Sequence, residues 1–153
     1  MSNEKQPALT LITDPDPRLR DKCWPVATIN SQDVDFAHFM ASQLEPLEAA
    51  GLAAPQFGVM ARIIVVRIDT RVNLAIFNPE IVRARGEHFV YESCRSLPGR
   101  RYYLKRPRIV KVRGLRVDSS PVTVKGSDFL AQVLVHEIQH LDGIMIDTLG
   151  KLV

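Results

Sequence analysis

His136-Glu137-Ile138-Gln139-His140 lies in an apolar stretch that begins near Ser127 and Asp128 and stops before Gly143. Ser and Asp suit the start of a helix and Gly suits its end. On a helix, residues i and i+4 share one face, about 5–6 Å apart at Cβ. Both imidazoles can therefore meet one tetrahedral metal ion, and Glu137 stands where a carboxylate can take a proton from water held there. The competing reading is an amphipathic helix carrying two partly exposed histidines, and the pentad alone leaves it open.

A mononuclear site needs a third protein ligand. The residues after His140 contain no His and no Glu, and Ile146 occupies the position at which the extended zinc-protease motif would place a third His. The ligand must then lie upstream, where the thiolate of Cys94 is the best candidate for Zn2+ or Fe2+. Cys23 sits in a Pro-rich segment without polar company and reads as a small buried hydrophobe.

Upstream of that helix, Val34, Phe36, Phe39, Met40, Leu44 and Leu47 form a helical stripe, with Asn30 or Ser31 as its cap. Residues 11–29, rich in proline, read as irregular. Three apolar runs read as strands: 62–68, 74–82 (interrupted at Asn78-Pro79) and 109–117. Val110 and Val112 alternate with Lys111 and Arg113. The apolar set then resumes at Leu115 and Val117, one residue out of phase, and a bulge is expected at Gly114. Helix, strands, then helix is an α+β layout, expected as one domain over 1–153.

The 153 residues are 46% hydrophobic and 24% charged, which excludes a disordered chain. No apolar run approaches the about 20 residues that span a bilayer, so no membrane partner is expected. Met1 to Thr10 lacks the basic and apolar regions of a secretory signal, and two cysteines are too few for a disulfide framework. A cytoplasmic protein is expected. The net charge is +3, yet nine Lys or Arg and no acid lie between Arg95 and Val117. Such a run can face RNA or an acidic substrate; outward positions of strands account for most of it.

Three separated segments resemble one family in the right order. Gly51-Leu52-Ala53-Ala54-Pro55-Gln56, Glu92-Ser93-Cys94-Arg95-Ser96 and His136-Glu137-Ile138-Gln139-His140 are similar to the three motifs of peptide deformylases. Those metallohydrolases remove the N-formyl group from nascent polypeptides. Asp16 to Arg20, Phe77 to Glu80 and Leu141-Asp142-Gly143 extend the likeness over about residues 8 to 148. The resemblance implies mixed or antiparallel sheets around a C-terminal metal-binding helix. It implies one divalent metal held by Cys94, His136 and His140, with Fe2+ the usual ion and Zn2+, Ni2+ or Co2+ as substitutes. It further implies Glu137 as proton carrier, and Gln56 with the main-chain N–H of Arg95 as donors to the oxyanion. Glu92 and Arg106 match an ion pair behind the second motif, and Arg101 matches a basic residue near the peptide channel. The expected partner is an N-formyl peptide, with formyl-methionine at its head. The ribosome stays open as a second partner, and no sequence-specific nucleic-acid binding is expected.

The departures from the family pattern gather around the pocket. Ala49 and Ser93 replace glycines, Arg95 replaces Leu, Val135 replaces Gln and Gln139 replaces Asp. The last two are expected to remove hydrogen bonds behind the metal ligands. Gln132 and Val133 lie one turn before His136, and Gln132 puts an amide where an apolar wall is usual. Ala50, Arg95 and Gln132 together predict a wider and more polar side-chain pocket, and Gly51 and Val133 are expected to bind substrate beside them. Two alternatives follow: a different N-formyl substrate, or a catalytically silent member binding the ribosome, RNA or another partner.

Overall fold

A computed structural model describes residues 9–153. Residues 1–8, which carry most of the segment read for a secretory signal, lie outside the described residues. Helix α1 (Ser31–Gln43) precedes seven strands: β1 (Gly51–Ala53), β2 (Ile63–Asp69), β3 (Val72–Arg85), β4 (His88–Ser93), β5 (Arg101–Arg106), β6 (Ile109–Leu115) and β7 (Pro121–Ser127). Helix α2 (Phe129–Leu141) and a short strand β8 (Lys151–Leu152) close the order. Strands β1-β2-β3-β6-β7 form one antiparallel sheet, and β4-β5-β8 form a second.

The first sheet is covered on both faces. Ile64, Val66, Val110 and Val112 pack towards α2, whereas Ile63, Val65 and Phe77 pack towards α1. This is why Ile63-Ile64-Val65-Val66 is apolar at every position: a strand buried on both sides needs no polar alternation. The bulge expected at Gly114 lies in the β3–β6 pairing, with its extra residue in β3 rather than in β6. Strand β6 pairs with β7 without interruption from Ile109 to Leu115. Its apolar phase slips because Val110 and Val112 serve the α2 side, while Leu115 and Val117 pack into the α1 side. The extra residues lie in the partner strand β3, where register shifts occur between Phe77 and Glu80 and again between Ile81 and Arg83. A Cβ at Gly114 would lie 2.8 Å from the Phe77 carbonyl oxygen, so the irregular partner strand is what requires glycine there.

Helix α1 starts with a reciprocal cap: the Asn30 side chain accepts from the Asp33 N–H at 2.9 Å, and Asp33 accepts from the Asn30 N–H at 3.0 Å. Helix α2 begins where the sequence indicates, but its cap differs, since the Asp128 side chain makes no capping hydrogen bond. Its far end is fixed firmly. Gly143 takes a φ of 72°, and the N–H groups of Gly143 and Ile144 donate to His140 and Gln139 carbonyls at 3.1 and 2.9 Å. The Arg62 guanidinium donates to the Leu141 carbonyl at 3.0 Å, placing a cation at the negative end of the helix.

Strands β1, β4, β5, β7 and β8 escape the sequence reading. In β5 the inward set is Tyr102, Leu104 and Arg106, and a charged residue at an inward position breaks the apolar alternation by which a strand is recognised. Strand β7 alternates well but is bounded by Pro121 and Gly126, residues that read as turn signals. In the basic run, Arg106 alone is fully buried.

Leu134 is fully buried between α2 and the sheet, and its side chain lies where a Cβ on Gly126 would touch it at 2.9 Å. Leu134→Ala is expected to lower the unfolding free energy by about 2–5 kcal/mol, measured by denaturant titration with an unchanged slope.

Candidate active site

Two consecutive turns of α2 and the turn after β4 bring three donor atoms together. Nε2 of His140 lies 3.2 Å from Nε2 of His136 and 3.4 Å from Sγ of Cys94, and all three atoms fall within 4.8 Å of one another. Tetrahedral coordination with metal–N near 2.05 Å and metal–S near 2.3 Å would separate two nitrogens by about 3.3 Å and sulfur from nitrogen by about 3.6 Å. The two spacings to His140 lie within a few tenths of an ångström of those values. The donor set of one thiolate and two imidazoles fits zinc or ferrous iron, so the residues present fit a divalent metal.

His136 is held from behind. Its Nδ1 lies 2.6 Å from Oε2 of Glu92, which fixes the proton on Nδ1 and leaves the Nε2 lone pair facing the other donors. Glu92 in turn accepts from Nε and Nη2 of Arg106 at 2.9 and 2.6 Å. Burial opposes ionisation of Glu92, but the bonds from His136 and Arg106 outweigh it and hold its pKa down to about 2. Arg106 also donates to Oε1 of Gln139 at 2.6 Å. Gln139 therefore keeps a polar link behind the helix despite replacing an acid. Val135 is buried among core hydrocarbons, and Nδ1 of His140 is buried without a partner. The two histidines are thus unequally supported.

Glu137 is 3% exposed, and burial pushes its pKa up to about 7. Its Oε1 is buried with no hydrogen-bond partner and lies 4.0 Å from Nε2 of His140. Across from it stands Gly51 on β1. A Cβ there would sit 2.7 Å from Oε2 and 2.9 Å from Cγ of Glu137, so glycine is what lets the carboxylate lie against the strand.

Gln56 lies in the 3-10 turn Ala54–Phe57. Its Oε1 accepts from the Ala53 N–H at 2.9 Å, which turns Nε2 towards the cleft. Nε2 donates to Oγ of Ser96 at 3.1 Å, and Ser96 donates to the Ile12 carbonyl at 2.8 Å. Nε2 ends 4.0 Å from Sγ of Cys94.

A cleft of about 230 Å³ opens over these groups, with Ala50, Gly51, Gln56, Arg95, Gln132 and Val133 among its walls. Arg95 is exposed at the rim, where Nη2 donates to the Glu48 carbonyl at 3.0 Å. Gln132 donates from Nε2 to the Tyr91 carbonyl at 3.0 Å, tying α2 to β4. Arg101 does not line the cleft; its guanidinium lies 4.3 Å from the ring centroid of Tyr91, which does. Sequence reasoning missed Tyr91, Phe129 and Ser96. Phe129 was legible, because 129, 132, 133 and 136 follow helical spacing along the wall; the positions of Tyr91 and Ser96 need the hairpin and the N-terminal segment in three dimensions.

Residues 8–152 match the family model of polypeptide deformylases. The chain belongs to that family. It is 42% identical to a peptide deformylase of Thermomicrobium roseum over 144 residues, 89% of this chain and 82% of that protein. A peptide deformylase of Alkaliphilus metalliredigens is 40% identical, over 90% of this chain and 94% of its own. Among solved structures, a peptide deformylase from Legionella pneumophila superposes with a TM-score of 0.88 at 34% identity, covering 92% of this chain and 84% of that one. One from Synechococcus elongatus in complex with actinonin gives 0.89 at 28% identity, covering 96% and 81%. The deformylase family uses a catalytic metal, and the Cys94, His136 and His140 cluster is where this chain can hold one. Among the described residues no helix is long and apolar enough to cross a membrane.

Two predictions follow from this deformylase site. Gly51→Ala displaces the Glu137 carboxylate and is expected to lower kcat by about 10²-fold or more, the scale of a misplaced catalytic group, with metal content unchanged by elemental analysis. Because the Glu92 pKa is depressed from 4.5 to about 2, its contribution to stability is complete above 4.5 and is lost as pH falls towards 2. Denaturant titrations across that range should show the loss, and Glu92→Gln should remove that part of it.

Proposed function

We propose that this chain is a metal-dependent peptide deformylase that hydrolyses the formyl amide of N-terminal formyl-methionine, releasing formate and a free amine. The observation that carries the reading is the convergence of Cys94, His136 and His140 beside a buried, unpartnered Glu137 oxygen. A divalent ion held by the three ligands would polarise the formyl group and lower the pKa of water. Ferrous iron is our assignment for that ion, with Zn2+, Ni2+ or Co2+ able to occupy the same donors.

The chain's own residues then divide the work. Glu137, with a pKa near neutrality, accepts the proton of the attacking water and returns it to the leaving nitrogen. Gln56, its amide nitrogen oriented by the Ala53 N–H, and the main-chain N–H of Arg95 meet the charge that develops on the formyl oxygen. Strand β1 pairs with β2 on one side only, and its other side borders the cleft, so an extended peptide backbone can lie along it. The side chain following the formyl group runs past Gln132 and Val133 towards Phe129. An amide in that wall favours tolerance of polar side chains there beside methionine. We assign the reaction to the cytoplasm, on chains leaving the ribosome.

Formate release from formyl-Met-Ala-Ser, by protein purified anaerobically with Fe2+ or reconstituted with Ni2+, tests the reading. Turnover is expected, and Glu137→Ala should lower it by about 10²–10⁴-fold while retaining the metal. Full metal occupancy with no formate from any formyl peptide would overturn it.

A further inference from the structure

The outer face of the second sheet carries an unusual row of side chains. Phe89, Tyr91 and Tyr103 are 57%, 52% and 40% exposed and stand in line across β4 and β5. The Phe89 and Tyr103 rings stack with centroids 5.1 Å apart, and Tyr91 lies 4.9 Å from Tyr103. Cations accompany them. Arg101 sits 4.3 Å over the Tyr91 ring and Lys105 lies 5.8 Å from the centroid of Phe89. Lys151, exposed on β8, pairs in register with Tyr103. Among the described residues, the only acid that meets this row is Glu87, 3.5 Å from Lys105 at its edge, with both side chains more than half exposed.

Cross-strand pairing stabilises the hairpin, but it does not require that three large rings remain in solvent beside three cations. A contiguous exposed apolar patch of this kind marks an interaction surface. Two features identify the occupant. The row is continuous with the catalytic cleft, because Tyr91 and Ser93 line the cleft and also occupy outward positions of β4. Its charge is positive, while the rings accept backbone and side chains of any sequence. We propose that the outer face of the β4–β5 hairpin is an extended docking surface for the part of the polypeptide substrate that has left the cleft, selective for acidic residues in that part.

This inference rests on the deformylase reading, since it assigns the surface to the same substrate. Ser93 and Arg95 are exposed in the cleft wall and Ser93 pairs in register with Arg101, so a chain leaving the cleft on that side meets the Arg101 end of the row. At an extended rise of about 3.3 Å per residue, three or four further residues reach from there to Lys105. Residues close to the formyl group are held by the cleft alone, and only later ones meet the cations.

The test compares kcat/KM for formyl-Met-Ala-Ser with that for formyl heptapeptides that share this head and end in either Glu or Lys residues. The Glu-ended peptide is expected to exceed both others by about three- to tenfold, the scale of a few exposed charge contacts, chiefly through KM. The gain should shrink with added salt. The double variant Phe89→Ser/Tyr103→Ser and, separately, the charge reversal Lys105→Glu should abolish the gain while leaving formyl-Met-Ala-Ser turnover unchanged. Lys105→Glu, a change at a side chain more than half exposed, keeps the test sound if the double variant folds poorly.

Equal turnover of all three peptides by active enzyme would overturn the docking surface and leave the deformylase reading standing. Absence of turnover on every formyl peptide would remove both. Binding of oligouridylate that is lost in Lys105→Glu, without any peptide-length effect, would assign the face to RNA instead. A concentration-dependent dimer broken by the double variant, again without a length effect, would assign it to a second copy of this chain. Either result would overturn the proposal.

Discussion

The buried guanidinium of Arg106 joins three elements, β4, β5 and α2, through one set of hydrogen bonds. It is 2% exposed, leaves β5 on the inward side, holds Glu92 of β4 with two hydrogen bonds and reaches Gln139 of α2 with a third. Removing such ions from water costs several kcal/mol each, and the cost is offset only when their hydrogen-bonding groups are well paired. Its value is therefore positional. Glu92 passes the restraint on to His136, so the strand hairpin leading into Cys94 is locked in register with the helix carrying both imidazoles. A metal site tolerates errors of only about 0.5 Å, and packing of aliphatic side chains alone would leave the two sheets freer to shift.

The second constraint is steric. The first sheet can press α2 close to β1 because Gly51 has no side chain, and the space so gained is taken by the Glu137 carboxylate. Close approach also dehydrates that carboxylate, and dehydration raises its pKa towards 7. The same glycine thus sets both the position of the Glu137 carboxylate and the burial that raises its pKa. A larger residue would change both together, which is why the contact belongs to the chemistry as much as to the fold.

The helices were legible from their helical period, and the central strands from short apolar runs buried on one or both faces. The helical stripe from Val34 to Leu47 and the apolar run from residue 62 to 68 state their partners directly. The hairpin of the second sheet was hidden by its function, since its inward positions include Glu92 and Arg106, charged residues that imitate a solvated surface. At Gly114 the pattern was detected but its cause was not. A one-residue slip within a strand and a change of the face being buried give the same sequence, and only pairing with β3 and β7 separates them. In the site, His136, Glu137 and His140 were legible from spacing. Cys94 was the best upstream candidate by its donor chemistry and became a ligand through the family resemblance, while the roles of Ser96 and Tyr91 depend on contacts between segments far apart in the chain.

The substitutions around the metal cluster illustrate how such a site tolerates change. Gln139 stands where the family pattern has an acid, yet its amide oxygen still accepts from Arg106 at 2.6 Å. A neutral acceptor at that point leaves Arg106 with one buried carboxylate, Glu92, on which to spend its charge. That concentrates the anionic support on His136, whose Nδ1 it holds, while Nδ1 of His140 goes without. Nε2 of His140 instead faces the other two donors, Nε2 of His136 at 3.2 Å and Sγ of Cys94 at 3.4 Å. The change from acid to amide therefore removes neither the Arg106 link nor the carboxylate on His136, and the three donors stay grouped although their supports differ.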